Sequence, residues 1–243
     1  MAAGGTRAVA DGIYAGPGFV PFGLQAVVKF GGSLMRDVGL AARTGAELAA
    51  PAREAPLLVF PGGGPSDKLV EELARQARLE TDIVNPANMR ALDQTGILLA
   101  AMTRGAEAVA DLAAARAVIA RGGLPVLLPS ALVLALDVFT RKDVITSDTI
   151  GAYFAFLVGA PLYVVLTDVD GVYRGRGDGD PGTLVREISA GELAGLGATS
   201  VDRCFGSLLE ACGLRAWVLN GAHPARVREV LRGGRPPGTE ILP

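Results

Sequence analysis

The stretch VVKFGGSL, residues 27–34, carries one of only three lysines in a 243-residue chain that otherwise holds its positive charge on arginine. Lys29 closes the apolar run LQAVVKF (24–30), which reads as a buried strand, and the turn Gly31-Gly32-Ser33 follows one residue later. Two glycines let a backbone approach an anion closely. Their N–H groups and the Ser33 hydroxyl can donate to phosphate oxygens, and an ammonium can offset charge on a transferring phosphoryl group. The same residues equally fit an ordinary strand-to-helix turn with a lysine stretched toward solvent. The Walker A pattern is excluded, because it needs a longer glycine spacing with the lysine after it.

Beyond this stretch, apolar runs alternate with helical patterns. A second strand, PLLVFP (56–61), ends in Gly62-Gly63-Gly64. Three consecutive glycines give up conformational order, which either a ligand lying against the backbone or a flexible loop accounts for. Ser66 is then a candidate N-cap for a helix with the stripe Leu69, Val70, Leu73, Ala74 and Ala77. Asn85-Pro86 is expected to open a second helix reaching Met102, and a third covers about 106–120. LPVLLPSALVLALDVF (124–139) reads as buried strands broken by Pro125 and Pro129.

The segment TSDTIGAYFAFLVG (146–159) reads as an apolar helix with Asp148 in its first turn. A carboxylate there either complements the helix dipole or holds a catalytic lysine. PLYVVLTD (161–168) is another buried strand. It runs into TDVDGVY (167–173), where Thr167, Asp168 and Asp170 form either a polar site at the strand end or a solvated Asp-Gly turn. Residues 172–189 suggest a hairpin or flap, and AWVLN (216–220) and GTEIL (238–242) supply the last strands. Alternating strands and helices predict an α/β fold, a mainly parallel sheet with helices on both faces, whose ligands bind beyond the carboxyl ends of the strands. Residues 23–243 are expected to form one continuous domain after a glycine-rich, flexible leader (1–22).

Composition narrows the function. A net charge of -2 gives no reason to expect nucleic acid or an anionic membrane as partner. No run reaches the roughly 18 apolar residues of a membrane span, and the N-terminus lacks the apolar core of a secretory signal. Cys204 and Cys212 lie eight apart, and His223 is the sole histidine. That set argues against a zinc site, a disulfide framework or a Ser-His-Asp hydrolase, and fits a reducing cytoplasm.

In order along the chain stand K-x-G-G after the first strand, G-G-G after the second, T-S-D at a helix start, and a strand ending in T-D-V-D-G-V-Y. This ordered set resembles the amino acid kinase family, which includes acetylglutamate, aspartate, uridylate and isopentenyl phosphate kinases. The resemblance implies a three-layer α/β/α sandwich. It also implies an acceptor half (about 23–135), a nucleotide half (about 136–243), and transfer of the γ-phosphoryl group of ATP to a small molecule, with Mg²⁺ carried by the nucleotide. By position, Lys29 and Asp148 match the catalytic pair. Gly31, Gly32, Ser33 and the segment Thr167, Asp168, Asp170, Gly171, Val172, Tyr173 match the nucleotide contacts, and Gly62, Gly63 and Gly64 match the acceptor loop. A homo-oligomer is implied as well.

Three departures stand out. No lysine follows Lys142, so Arg174, Arg176 or Arg186 is the candidate second cation. Pro65-Ser66-Asp67 replaces the histidine of isopentenyl phosphate kinases, and Thr167 stands where uridylate kinases usually carry lysine. The segments PGGGPSDKLVEEL (61–73), ALDQTGILLAA (91–101), DVITSDTIGAY (143–153) and VDRCFGSLLEACGLRAWVLNGAHPARVREVLRGGRPPGTEI (201–241) are most similar to the aminomethylfuran phosphate kinase-like branch. Acceptors of that branch carry a phosphate and an ammonium, and Asp93 is the candidate to meet the ammonium. Uridylate kinase is the alternative within the class. A molybdate-storage type of nucleotide and oxyanion binder is the alternative outside it.

Overall fold

The computed structural model describes residues 21–137, 145–175, 182–196 and 199–243, together with the backbone of residues 8–9 and 13–14. The rest of the leader, Lys142 and Arg176 lie outside the described residues. Ala8–Val9 pairs antiparallel with Ile13–Tyr14.

Eight strands make the central sheet: β1 (Ala26–Phe30), β2 (Leu57–Pro61), β3 (Ala106–Val109), β4 (Leu124–Leu127), β5 (Leu162–Thr167), β6 (Glu187–Ser189), β7 (Arg215–Asn220) and β8 (Thr239–Leu242). Their spatial order is β3-β4-β2-β1-β5-β7-β8-β6. Every neighbouring pair is parallel except β7 with β8. The chain runs one way from β1 through β2 to β4 and returns to β1's other side as β5. The β1–β5 junction is therefore the topological switch point, where α/β sheets bind ligands.

Central strands are buried on both faces and are rich in Val, Leu and Phe, as a parallel sheet requires. Alternate residues serve opposite layers. Ala26, Val28 and Phe30 join Leu57, Val59, Val164, Leu166 and Trp217 beneath α1 (Val38–Ala49), α3 (Thr81–Met102) and α9 (Ala225–Leu231). Val27 joins Leu58, Phe60, Tyr163, Val165 and Val218 beneath α6 (Ser147–Leu157), α7 (Ala190–Gly195) and α8 (Phe205–Cys212). Lys29 shares the parity of Val27, so β1 delivers its last side chain on this layer toward α6.

Four sequence-based boundaries need correction. Helix α2 (Gly64–Ala77) starts two residues before Ser66, with Gly63 at the N-cap. Helix α3 begins at Thr81 and carries Pro86 inside it as its sixth residue, where the ring removes one helical N–H donor. Residues 106–109, alanine-rich and expected to be helical, form edge strand β3 because pairing with β4 overrides propensity; only Leu112–Ala120 (α4) is helical. Residues 130–136, expected to be strand, form α5 (Ser130–Leu136). Its Ser130 N–H donates to Asp93 on α3, a cap supplied from 37 residues away. The hairpin expected in 172–189 is present as Tyr173–Arg174 paired with Thr183–Leu184, while 187–189 joins the main sheet. No helix among the described residues is long and apolar enough to cross a membrane.

Helix α6 lies unusually close to the sheet. A Cβ on its Gly151 would stand 2.1 Å from the Tyr163 hydroxyl and 3.1 Å from Phe60. We expect Gly151→Ala to destabilise the fold by about 1–2 kcal/mol, read from the urea midpoint. Overpacking costs about 1–3 kcal/mol, against at most about 1 kcal/mol gained in helix propensity.

Candidate active site

The Lys29 ammonium stands 2.7 Å from Asp148 Oδ1, and both side chains are only 10% exposed. The contact is an ion pair that lacks the direction of a hydrogen bond, since Oδ1 has no hydrogen-bond partner. Asp148 is the second residue of α6, whose N-cap Thr146 accepts the Asp148 N–H through its hydroxyl. Strand and helix thus bring together two residues 119 positions apart. Removing either one leaves a buried, uncompensated charge, a loss of about 3–5 kcal/mol in comparable pairs.

The two glycine turns interlock above this pair. The Gly31 N–H donates to the Leu166 carbonyl of β5 at 2.8 Å, and the Gly62 N–H donates to the Phe30 carbonyl of β1 at 2.9 Å. A Cβ on Gly32 would lie 2.1 Å from the Gly64 nitrogen, and one on Gly62 would lie 2.7 Å from the Gly32 nitrogen. Close approach does explain these glycines, but the approaching group is the other loop's backbone. Gly64 also holds a φ of +66°, which suits glycine at the start of α2. Ser33, half-buried, follows in a short 3₁₀ turn.

The Thr167–Tyr173 segment leaves the end of β5 beside β7. The Thr167 carbonyl accepts the Gly221 N–H at 2.7 Å, and the Thr167 hydroxyl donates to the exposed Asp168 at 3.3 Å. Asp170 accepts from Arg226 at 2.8 Å and from Asn220 at 3.3 Å. The Arg226 hydrogen bond holds the Asp170 carboxyl below the ordinary carboxylate range. Gly171 and Val172 are buried against Thr239, whose hydroxyl accepts the Val172 N–H at 2.8 Å. Tyr173 opens the hairpin. Of the candidate second cations, Arg186 donates to the Pro236 carbonyl at 2.9 Å, and Arg174 is exposed at the hairpin.

A cleft of about 320 Å³ opens between α2, α3 and the start of α6. Gly63, Thr146 and Ser147 form one end, Asp67 and Glu71 of α2 form a polar wall, and Val84, Met89 and Leu92 of α3 form an apolar one. Asn88, on the same wall, has a buried amide oxygen with no protein partner. Asp93 does not line this cleft. Both of its carboxylate oxygens meet Ser130, one at the N–H and one at the hydroxyl. Asp67 carried no sequence signal beyond its place three residues after the glycines, and Asp202, whose carboxylate meets the start of α6, carried none. Among the described residues no group of three His, Cys, Asp or Glu is gathered to hold a metal ion.

The profile of the amino acid kinase family matches residues 25–220. The chain is 29% identical to [5-(aminomethyl)furan-3-yl]methyl phosphate kinase of Methanocaldococcus jannaschii, over 89% of this chain and 97% of that protein. It is 34% identical to uridylate kinase of Haloarcula marismortui, over 40% of this chain and 47% of that protein. Among solved structures, uridylate kinase from Archaeoglobus fulgidus superposes with a TM-score of 0.72 at 19% identity, covering 90% of this chain and 100% of that one. Aspartate kinase from Synechocystis superposes with a TM-score of 0.67 at 18% identity, covering 89% of this chain and 39% of that one. With the profile spanning most of the chain and the fold shared with these kinases, the chain belongs to the amino acid kinase family and is an ATP-dependent phosphotransferase.

Proposed function

We propose that the chain transfers the γ-phosphoryl group of ATP to a small phosphate monoester bearing an amino group, of the kind named for the M. jannaschii relative. The observation that carries this reading is the cleft. It begins at Gly63 and Ser147, beside the Lys29–Asp148 pair, and presents carboxylates and an apolar wall to whatever enters. In this reading residues 23–135 form the acceptor half and 136–243 the nucleotide half of one domain. The glycine turns and the Thr167–Tyr173 segment hold ATP, and the protein works in the cytoplasm.

An acceptor phosphate is already anionic at neutral pH, so no general base is needed. An acceptor oxygen forms a bond to the γ-phosphorus as the bond from that phosphorus to the β–γ bridging oxygen breaks, and ADP leaves. The protein's tasks are alignment and charge. Lys29 supplies a compact cation on a flexible stem, and Asp148 fixes where that cation points. Mg²⁺ bound to the nucleotide's own phosphates supplies further charge neutralisation there.

The test is Mg²⁺-dependent ADP release with [5-(aminomethyl)furan-3-yl]methyl phosphate, UMP, isopentenyl phosphate, acetylglutamate and molybdate in turn. Strong stimulation by the amino phosphate is expected, and Lys29→Ala should lower kcat by about 10²–10³-fold, as loss of one preorganised charge donor does elsewhere. UMP as the best acceptor would favour the uridylate kinase reading, which the partial match to the H. marismortui enzyme supports. No stimulation by any organic acceptor would sink both.

Asp67 is the residue we assign to the acceptor's ammonium. Burial, and secondarily Glu71, push its carboxyl up to about 6, against the pull of Lys68. An ammonium beside it favours the charged form. The kcat/KM for the amino acceptor should therefore rise as pH passes through about 6, and Asp67→Asn should remove the rise. Without acceptor the sign for stability is opposite. The folded-state value lies above the ordinary 3.8, so this group's stabilising contribution is full below about pH 4 and is lost as pH rises through about 6. The Tm difference between Asp67→Asn and the parent protein, followed across that range, checks it.

The proposed homo-oligomer rests on α2 and α3. Leu73 of α2, Leu79 between the helices and Ile83 of α3 are 50–64% exposed along an apolar groove of about 610 Å³. Light scattering should give at least twice the chain mass, and Leu73→Glu should reduce it to one chain.

A further inference from the structure

Asp202 has no place in the chemistry above, yet it is among the most heavily bonded carboxylates of the described residues. Its Oδ2 accepts the Thr146 N–H at 3.0 Å, the Thr146 hydroxyl at 2.9 Å and the Thr149 N–H at 3.1 Å. Its Oδ1 accepts the Thr149 hydroxyl at 2.6 Å and the Cys204 N–H at 3.0 Å. Four of these five donors belong to the start of α6, the helix that carries Asp148. The helix start would otherwise leave backbone N–H groups unpaired.

Thr146 connects the two aspartates. Its hydroxyl lies 2.9 Å from Asp202 and 3.4 Å from Asp148 Oδ2, and it has one proton to give. The shorter contact takes that proton. The hydroxyl oxygen in turn accepts the Asp148 N–H at 3.3 Å, which fixes the backbone at the catalytic aspartate. Asp148 therefore keeps its negative charge for Lys29, 2.7 Å away on its other oxygen. The segment before Asp202 reaches the opposite side of the site, where the Ser200 hydroxyl donates to the Gly171 carbonyl at 3.0 Å. One short segment thus ties the loop after β5 to the start of α6.

We propose that Asp202 is a positioning residue for the Lys29–Asp148 pair, acting through Thr146. By taking the Thr146 proton and two N–H groups of α6, it fixes Asp148 and leaves that carboxylate's charge undivided for the lysine. In its absence the Thr146 hydroxyl turns to Asp148, divides that charge and loosens the ammonium. The proposal rests on the kinase reading for its consequence in catalysis, but its structural content can be tested without turnover.

The chain has only Lys29, Lys68 and Lys142, so a protein labelled with ¹³C at lysine Cε gives three signals, that of Lys29 assigned by its loss in Lys29→Arg. In Asp202→Asn the Lys29 signal should move while the other two stay. Thr146→Val, which takes away the acceptor of the Asp148 N–H, should also move it, and Thr146→Ser, which keeps the hydroxyl, should return it to the parent position. With ATP and [5-(aminomethyl)furan-3-yl]methyl phosphate, kcat should fall about 10²-fold in Asp202→Asn, the scale of a small misplacement, with KM for ATP changed less than about threefold. The double variant Asp202→Asn/Thr146→Val should lose no more than the worse single one, because both act through one contact.

A folded Asp202→Asn whose Lys29 signal stays in place would reduce Asp202 to a helix cap and overturn the proposal. If that variant does not fold, an unmoved Lys29 signal in Thr146→Val overturns it equally. A moved Lys29 signal in a protein that turns over no acceptor would uphold the positioning role and sink the proposed acceptor class instead.

Discussion

A lysine and an aspartate 2.7 Å apart, each nine-tenths buried, are the constraint around which the rest of this fold is arranged. Taking two such charges out of water costs several kcal/mol apiece, and their attraction repays that only when the geometry is fixed. Here the geometry is fixed from both sides. Lys29 is set by β1, which is paired on both edges and buried throughout. Asp148 is set by α6, held against the sheet by the missing side chain at Gly151 and at its start by Asp202. The lone methylene hydrogens of one helical glycine and one remote carboxylate thus decide whether an ammonium points into the site.

Much of this was legible in the sequence, and the parts that were not share a cause. Strands β1, β2, β5 and β7 show as apolar runs because both faces of each are buried. Lys29 stood out because it interrupts such a run. What periodicity does not report is a partner brought from far along the chain. Asp202 caps a helix 53 residues away from it at Thr149, and Asp93 caps another at Ser130. Neither has a local signature, so Asp93 looked available for a ligand when both of its oxygens are engaged. The alanine-rich 106–109 stretch failed for a related reason: its propensity is helical, and only the neighbouring β4 makes it a strand. The glycines have a reason that no local pattern reports, since the two turns need them in order to touch each other.

The interlocked turns also tie the ends of two neighbouring strands together. Gly32 belongs to the turn after β1 and Gly64 to the start of α2, and their backbones meet within van der Waals reach. The cleft that begins at Gly63 is thereby joined to the same backbone that carries Lys29. In-line transfer demands that the acceptor oxygen and the departing phosphate be held to a fraction of an ångström, and shared backbone is stiffer than any pair of side chains.

Charge at the end of β5 is arranged more sparingly than the number of arginines suggests. Asp170 stands at the sheet's carboxyl edge. Arg226 pairs with it at 2.8 Å and Asn220 adds a second contact, while Asp168 beside it stays exposed. That pairing also occupies Arg226, and Arg186 is turned to the carbonyls near the C-terminus. Both arginines are thus engaged with groups of the protein itself. At the end of β1, Lys29 supplies a compact ammonium that Asp148 holds at 2.7 Å. A lysine at position 29, in a chain that elsewhere prefers arginine, brings that charge as a point on a flexible stem, where arginine would bring a broad planar fork.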